Sequence, residues 1–198
     1  MTAVGGTYLC TNPVVGSMTA DDTMPPVNCT SHPGDREPGW VAAGGGYSIY
    51  FSRPDYQNVL PPGSSYVGSS PGAPGPNTNM RGIPDIAYQA SARTGLLVYN
   101  QEEGGWFTVG GTSCSSPQWA GIAAMADQMA SHDLGFLNPA LYALANNPAT
   151  YAADFYDPTV DSNGAWSASK GWDALTGLGT PDVAKLLPDL IAAVAATH

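Results

Sequence analysis

At 198 residues the chain is long enough for one domain with its own core. Charged residues make up only 11% of it, against 24 glycines and 18 prolines, so the surface must be built largely from Ser, Thr, Asn, Gly and Tyr; with 43% apolar residues this suits long ordered loops better than disorder. A net charge of −10, with Lys170 and Lys185 the only lysines, argues against nucleic acid or an anionic membrane as partner, and no apolar run approaches the ~20 residues that span a bilayer.

Residues 2–9 read as a buried strand. Residues 2–13 lack a basic start and contain two glycines, which does not describe a signal peptide. Residues 10–46 form a turn-rich loop region in which Cys10 and Cys29 bracket 18 residues. A disulfide there would stabilise by roughly 3 kcal/mol, and two free buried thiols fit the sequence nearly as well. Asn28-Cys29-Thr30 is a glycosylation sequon, meaningful only in a eukaryotic secretory route. A short helix fits residues 54–60, and residues 61–79 are a Pro/Gly/Ser-rich surface loop. Residues 83–90, 96–100 and 106–109 read as strands, the last two as a hairpin around Gln101-Glu102-Glu103-Gly104-Gly105. Helices follow at 115–131, 138–146 and 181–196, with Asn138-Pro139 and Thr180-Pro181 as a cap and first-turn proline. There are no repeats and no second domain.

The most informative stretch runs from Gly110 to Gly121, Gly-Gly-Thr-Ser-Cys-Ser-Ser-Pro-Gln-Trp-Ala-Gly. Two glycines and Thr112 leave little bulk, so a peptide carbonyl could approach Ser113 closely. Trp119, Ile122, Ala123, Ala126 and Met129 then recur at helical spacing on one face. Ser113 therefore stands at a helix N-terminus, where the dipole and free amides favour a developing oxyanion. A serine that merely caps a buried helix has the same local signature. Cys114 reads as packing, because its neighbours offer no histidine partner for a cysteine nucleophile.

Gly-Thr-Ser-x-[Ser/Ala]-x-Pro resembles the nucleophile motif shared by subtilisins and sedolisins, the serine-carboxyl peptidases. Four further segments, in the family's order, resemble the sedolisins: Val4-Gly5-Gly6-Thr7; Gly44-Gly45-Gly46-Tyr47-Ser48 with Tyr50-Phe51 and Pro54-x-Tyr56-Gln57; Arg81-Gly82-Ile83-Pro84-Asp85-Ile86-Ala87; and residues 171–181, Gly-Trp-Asp-Ala-Leu-Thr-Gly-Leu-Gly-Thr-Pro. The resemblance implies a subtilisin-like α/β fold, a parallel sheet flanked by helices, hydrolysing proteins or peptides in acid through a Ser-Glu-Asp triad. Secretion, or residence in an acidic compartment, is implied with it. The acidic composition fits such a protein, since protonating carboxylates lowers the repulsion, although an ordinary acidic soluble protein has the same composition.

The family carries the glutamate and aspartate of its triad as Glu-x-x-x-Asp, and a further oxyanion aspartate in Ser-Gly-Asp-x-Gly. Four residues beyond Glu37, Glu102 and Glu103 lie Val41, Trp106 and Phe107, so the first pattern is absent, and the second is absent too. The expectation is that residues 1–198 are the C-terminal portion of one catalytic domain, truncated on its N-terminal side. It would be nearly inactive alone and completed by an N-terminal segment or chain of the same enzyme. The missing part would hold any signal or pro-region. Loss of a general base typically costs about 10²–10⁴-fold. His32 lies in a polar loop, His132 follows the nucleophile helix and His198 is the last residue, so none has a good claim as a base. Asp85 reads as structural, satisfied by backbone or arginine at a strand start.

By the same resemblance, residues 154–181 form a calcium-binding segment. Asp157 and Asp173 would give carboxylates, and Pro158, Ser169 and Gly171 backbone carbonyls, to an ion that wants six to eight oxygens. Val160-Asp161 departs from the family's usual glycine, which makes Asp161 an extra ligand candidate. An acidic Asn/Gly turn without metal is the plain alternative. For the chain as a whole the alternatives are a non-catalytic calcium-stabilised module or pseudoenzyme fragment, and a subtilisin-type hydrolase using one of the three histidines.

Overall fold

The computed structural model describes residues 1–10, 37–61, 64 and 79–196. Strand β1 (Val4–Thr7) runs parallel to β4 (Ile86–Gln89), with Val4 opposite Ile86 and Thr7 opposite Gln89. On its other edge β4 is joined by the segment at residues 178–179, where Leu178 N donates to Asp85 O and Ala87 N to Gly179 O, both at 2.9 Å. Between them in the chain, β2 (Gly46–Ser52) pairs antiparallel with β3 (Met80–Ile83). Next come the hairpin β5 (Leu96–Asn100) and β6 (Gly105–Val109), and the short pair β7 (Phe155–Tyr156) and β8 (Thr180–Pro181). The helices are α1 (Thr112–Ala130), α2 (Asn138–Asn146), α3 (Pro148–Asp154) and α4 (Val183–Ala196).

The helix α1 lies across β1 and β4, pinned where Trp119 Nε1 donates to Ala87 O at 2.9 Å. Its buried stripe is Trp119, Ile122 and Ala126, as the spacing predicts, but Met129 ends 56% exposed. No described element covers the outer face of its last turns. Leu141, Tyr142, Leu175, Leu178, Leu186, Leu190 and Trp172 complete a core between α2, α4 and the 172–178 segment. Trp172 Nε1 donates to Pro84 O at 3.0 Å, which ties that segment to the turn between β3 and β4.

Several boundaries differ from those the spacing predicts. The expected strand at 83–90 breaks at Pro84-Asp85, because the Asp85 carboxylate turns inward to bind four donors, so β3 ends at Ile83 and β4 begins at Ile86. The strand β2 is an addition: Tyr47, Ile49 and Phe51 alternate with Ser48, Tyr50 and Ser52, a mixed pattern with aromatics on both faces. The helix α3 is also new, although Asn147-Pro148 repeats the Asn-Pro start used to place α2; Asn147 Oδ1 accepts from Ala149 N at 2.9 Å. At residue 180 the same kind of signal serves a strand instead. Thr180-Pro181 pairs with β7, and α4 starts at Val183 after Asp182, whose carbonyl accepts from Lys185 N and Leu186 N. Cys10 is disulfide-bonded and Cys114 is free. Cys29, the sequon at residues 28–30, His32, His198 and most of the 61–79 loop lie outside the described residues.

Candidate active site

The glycines at 110 and 111 shape the approach to α1. A Cβ on Gly110 would lie 2.3 Å from Ala92 N, and Gly111 has φ +94°, a conformation side chains disfavour. Gly111 N donates to Ala90 O at 2.5 Å, so the turn is tied to the residue that follows β4. Its carbonyl accepts from Cys114 N (2.8 Å) and Ser115 N (3.3 Å), opening the helix. Ser113 is the second residue of α1, exposed, and its Oγ hydrogen-bonds no other described residue. Ser115 does the opposite job. It is buried, and its Oγ donates to Tyr88 O and Gln89 O at 3.1 Å each, with Gln118 Nε2 adding a bond to Gln89 O at 3.0 Å. These bonds seat the N-terminus of α1 at the carboxyl ends of β1 and β4, where open α/β sheets place their ligands. Sequence spacing alone does not separate the two serines; their burial does. Burial also pushes the Cys114 thiol up, so it stays protonated and inert, in keeping with a packing role.

No carboxylate or imidazole among the described residues hydrogen-bonds Ser113. His132 lies two residues beyond the far end of α1, whose stretch from Ser113 to Ala130 is about 26 Å long. Its Nδ1 is 2.9 Å from Ala130 O. Glu102 and Glu103 are exposed at the tip of the β5–β6 hairpin. Glu37 is held between two hydroxyls, Thr7 Oγ1 at 2.6 Å and Thr180 Oγ1 at 2.7 Å, and burial raises its carboxyl above the usual range. It closes β1 onto β8. Asp85 is wholly buried and accepts from Ala3 N (2.7 Å) and Arg81 Nη2 (2.6 Å), which is the structural role expected of it.

The candidate calcium residues do come together. Asp157 Oδ2 accepts from Gly171 N at 2.7 Å, and Asp173 Oδ2 accepts from Ser169 N at 3.0 Å, so both carboxylates grip one turn at residues 169–171. Buried Pro158 follows Asp157 in the chain and packs under Gly179. Burial pushes both carboxyls up to about 6. Their fit to a cation differs. Asp157 Oδ1 and Ser169 Oγ are buried with no hydrogen-bond partner among the described residues, as expected of oxygens that serve a cation. Asp173 also accepts from Leu175 N (2.7 Å), Thr176 N (2.8 Å) and Thr176 Oγ1 (2.9 Å). Four donors occupy its four lone-pair positions, and none remains for a metal in this arrangement. Asp161 adopts φ +74°, and its carbonyl accepts from Ala168 N at 3.0 Å, closing the Asn/Gly turn beyond it. Among the described residues no group of three or more His, Cys, Asp or Glu gathers as a metal site.

No protein-family model matches the chain. It is 36% identical over 150 residues to sedolisin of Pseudomonas sp. (strain 101), covering 73% of this chain and 22% of that protein. Kumamolisin of Bacillus sp. (strain MN-32) is 33% identical over 159 residues, covering 76% of this chain and 26% of that one. Tripeptidyl-peptidase 1 of Macaca fascicularis is 32% identical over 161 residues, at 75% and 27%. The chain thus spans about a quarter of the length of the curated relatives it matches. A solved structure of Pseudomonas sedolisin, a serine-carboxyl proteinase complexed with two molecules of pseudo-iodotyrostatin, superimposes with a TM-score of 0.67 at 29% identity. That likeness covers 97% of this chain and 46% of that one. No helix among the described residues is long and apolar enough to cross a membrane.

Proposed function

We propose, from the premise that this chain belongs to the sedolisin family as a partial sedolisin-like domain, that it supplies the nucleophile Ser113 to a serine-type peptidase acting on proteins or peptides in acid. The observation that carries this reading is the division of labour at the start of α1: Ser115 is buried and bound to β4, while Ser113 beside it is exposed at the helix N-terminus. The amides of that first turn and the helix dipole favour negative charge next to Ser113, which suits a tetrahedral intermediate. Among the described residues no base reaches Ser113, which leaves it an ordinary hydroxyl and a poor nucleophile.

The missing parts would come from an N-terminal complementing segment or chain. Its glutamate would take the Ser113 proton, its triad aspartate would orient that glutamate, and a protonated aspartate would donate to the oxyanion. A working pH in the acid range follows from the last requirement, and with it a secreted or acidic location. Calcium would be held here by Asp157 and the carbonyls of Pro158, Ser169 and Gly171, with water supplying the remaining oxygens. Bound there, it would neutralise buried carboxylate charge. Asp173 supports that site from behind, by holding the 169–171 turn. The absence of any acid or base on Ser113 among the described residues favours, as the second reading, a non-catalytic fragment.

Labelling decides between the two. The chain is treated at acidic pH with a serine-reactive or peptide-aldehyde inhibitor, alone and mixed with a chain carrying the Glu-x-x-x-Asp and Ser-Gly-Asp-x-Gly segments. Labelling only in the mixture, abolished by Ser113→Ala, supports the peptidase. Labelling in neither condition leaves the non-catalytic fragment.

A further inference from the structure

Asp154, the last residue of α3, is fully covered (0% exposed), and among the described residues neither carboxyl oxygen has a hydrogen-bond partner. The buried carboxylates of Glu37, Asp85 and Asp173 all have donors, and Asp157 has one for one oxygen, so Asp154 stands apart. It lies at the seam between two helices. Its carbonyl accepts from Asp182 N at 2.7 Å, which joins the end of α3 to the start of α4.

The charged groups facing it come from the α4 side: Asp189, Asp182 and Lys185. Lys185 Nζ is already held 2.7 Å from Asp182 Oδ2, so its charge is shared. With Asp154 ionised the cluster carries three negative charges and one positive, a net of −2; with it protonated the net is −1. The residues of α2 include no charged side chain and only Tyr142 as a titratable group, β7 contributes only Tyr156, and α3, besides Asp154 itself, only Tyr151. The carboxyl also sits at the C-terminal end of α3, where the helix dipole disfavours an anion. It is covered but shallow, so solvent screening softens these effects.

We propose that Asp154 is an acid latch: as a neutral carboxyl it lets the end of α3 close on α4, and its ionisation loosens that seam, so the fold is held most tightly in acid. The latch is independent of Ser113 and of any metal. Burial, reinforced by Asp189 and Asp182 against the pull of Lys185, pushes the carboxyl up to about 6. A folded-state value above the unfolded one means that the folded chain binds the proton more tightly. The stabilisation is therefore complete below about pH 4 and is lost as the pH rises through about 6.

Thermal unfolding of the full chain, at fixed ionic strength with chelator present, is followed from pH 4 to 7.5 for wild type and Asp154→Asn. Wild type should lose about 5 °C more than the variant across that range, and the variant should be the more stable at pH 7. Parallel curves, within about 1 °C, would overturn the latch. Should the variant fail to fold, carbon-13 titration of the Asp154 carboxyl in the wild type decides. A midpoint above 5 supports the proposal and one below 4 sinks it.

Discussion

Replacing Asp85 by asparagine keeps the shape of a buried side chain and removes its charge. The carboxylate serves four elements at once: Ala3 N at 2.7 Å ahead of β1, Arg81 Nη2 at 2.6 Å on β3, Gln57 Nε2 at 3.3 Å in the Asp55–Asn58 turn, and Tyr142 OH at 3.1 Å on α2. All four are donors. Whichever way the new amide turns, its NH₂ meets two of these donors, Gln57 Nε2 and Tyr142 OH in one orientation or Ala3 N and Arg81 Nη2 in the other, and both bonds are lost. Breaking a buried ion pair on one side costs about 3–5 kcal/mol. Arg81 is 18% exposed in its side chain and keeps its bond to Tyr56, so the low end applies, about 3 kcal/mol. For a chain of this size that is about 6–12 °C in Tm. Urea and thermal melts of wild type, Asp85→Asn, Arg81→Met and the double variant give the coupling energy, expected to exceed about 1 kcal/mol. A loss below about 1 kcal/mol for Asp85→Asn would refute the structural account. So would intact stability combined with lost labelling at Ser113, since that pattern belongs to a residue of the chemistry.

The Gly44-Gly45 pair offers an internal contrast. A Cβ on Gly45 would lie 1.7 Å from Ala174 O while one on Gly44 meets nothing, so Gly45→Ala should unfold or severely destabilise the chain and Gly44→Ala should shift Tm by no more than a degree or two. Ser115→Ala removes both bonds to the end of β4 and should cost about 1–2 kcal/mol in urea melts, whereas Ser113→Ala, exposed and unbonded, should stay within about 0.5 kcal/mol of wild type. Trp106 is 70% exposed and stacks edge-on against exposed Tyr99 on the β5–β6 hairpin. Trp106→Glu should therefore lower self-association in light scattering with little change in Tm.

Local spacing carried much of the fold. The β5–β6 hairpin falls where two apolar runs flank Gln101-Glu102-Glu103-Gly104-Gly105, and α2 spans the expected residues 138–146. The nucleophile turn is legible in its glycines, but the helix expected from residue 115 already starts at Thr112, with Gly111 at the cap position, no capping side chain, and Pro117 inside the helix. Misplaced boundaries arose where a distant partner outweighed the local pattern. Asp85 broke the 83–90 run for the sake of Ala3, 82 positions away, and Thr180-Pro181 became a strand because β7 was there to pair with it.

The candidate sites divide along the same line. It was the resemblance to the sedolisins that singled out Ser113 and grouped Asp157, Pro158, Ser169, Gly171 and Asp173; the fold adds that the Asp157 and Asp173 carboxylates both bind the 169–171 turn. Nothing in residue order says that Asp173 spends its lone pairs on Leu175 and Thr176 as well as Ser169, or that Asp154 finds no donor among the described residues. Nor does it say that Glu37 binds both Thr7 and, 143 positions further on from itself, Thr180. Those facts depend on which donors the folded chain brings within three ångströms of a carboxylate. That is a property of the packed path, set by the whole core at once and carried by no single stretch of sequence.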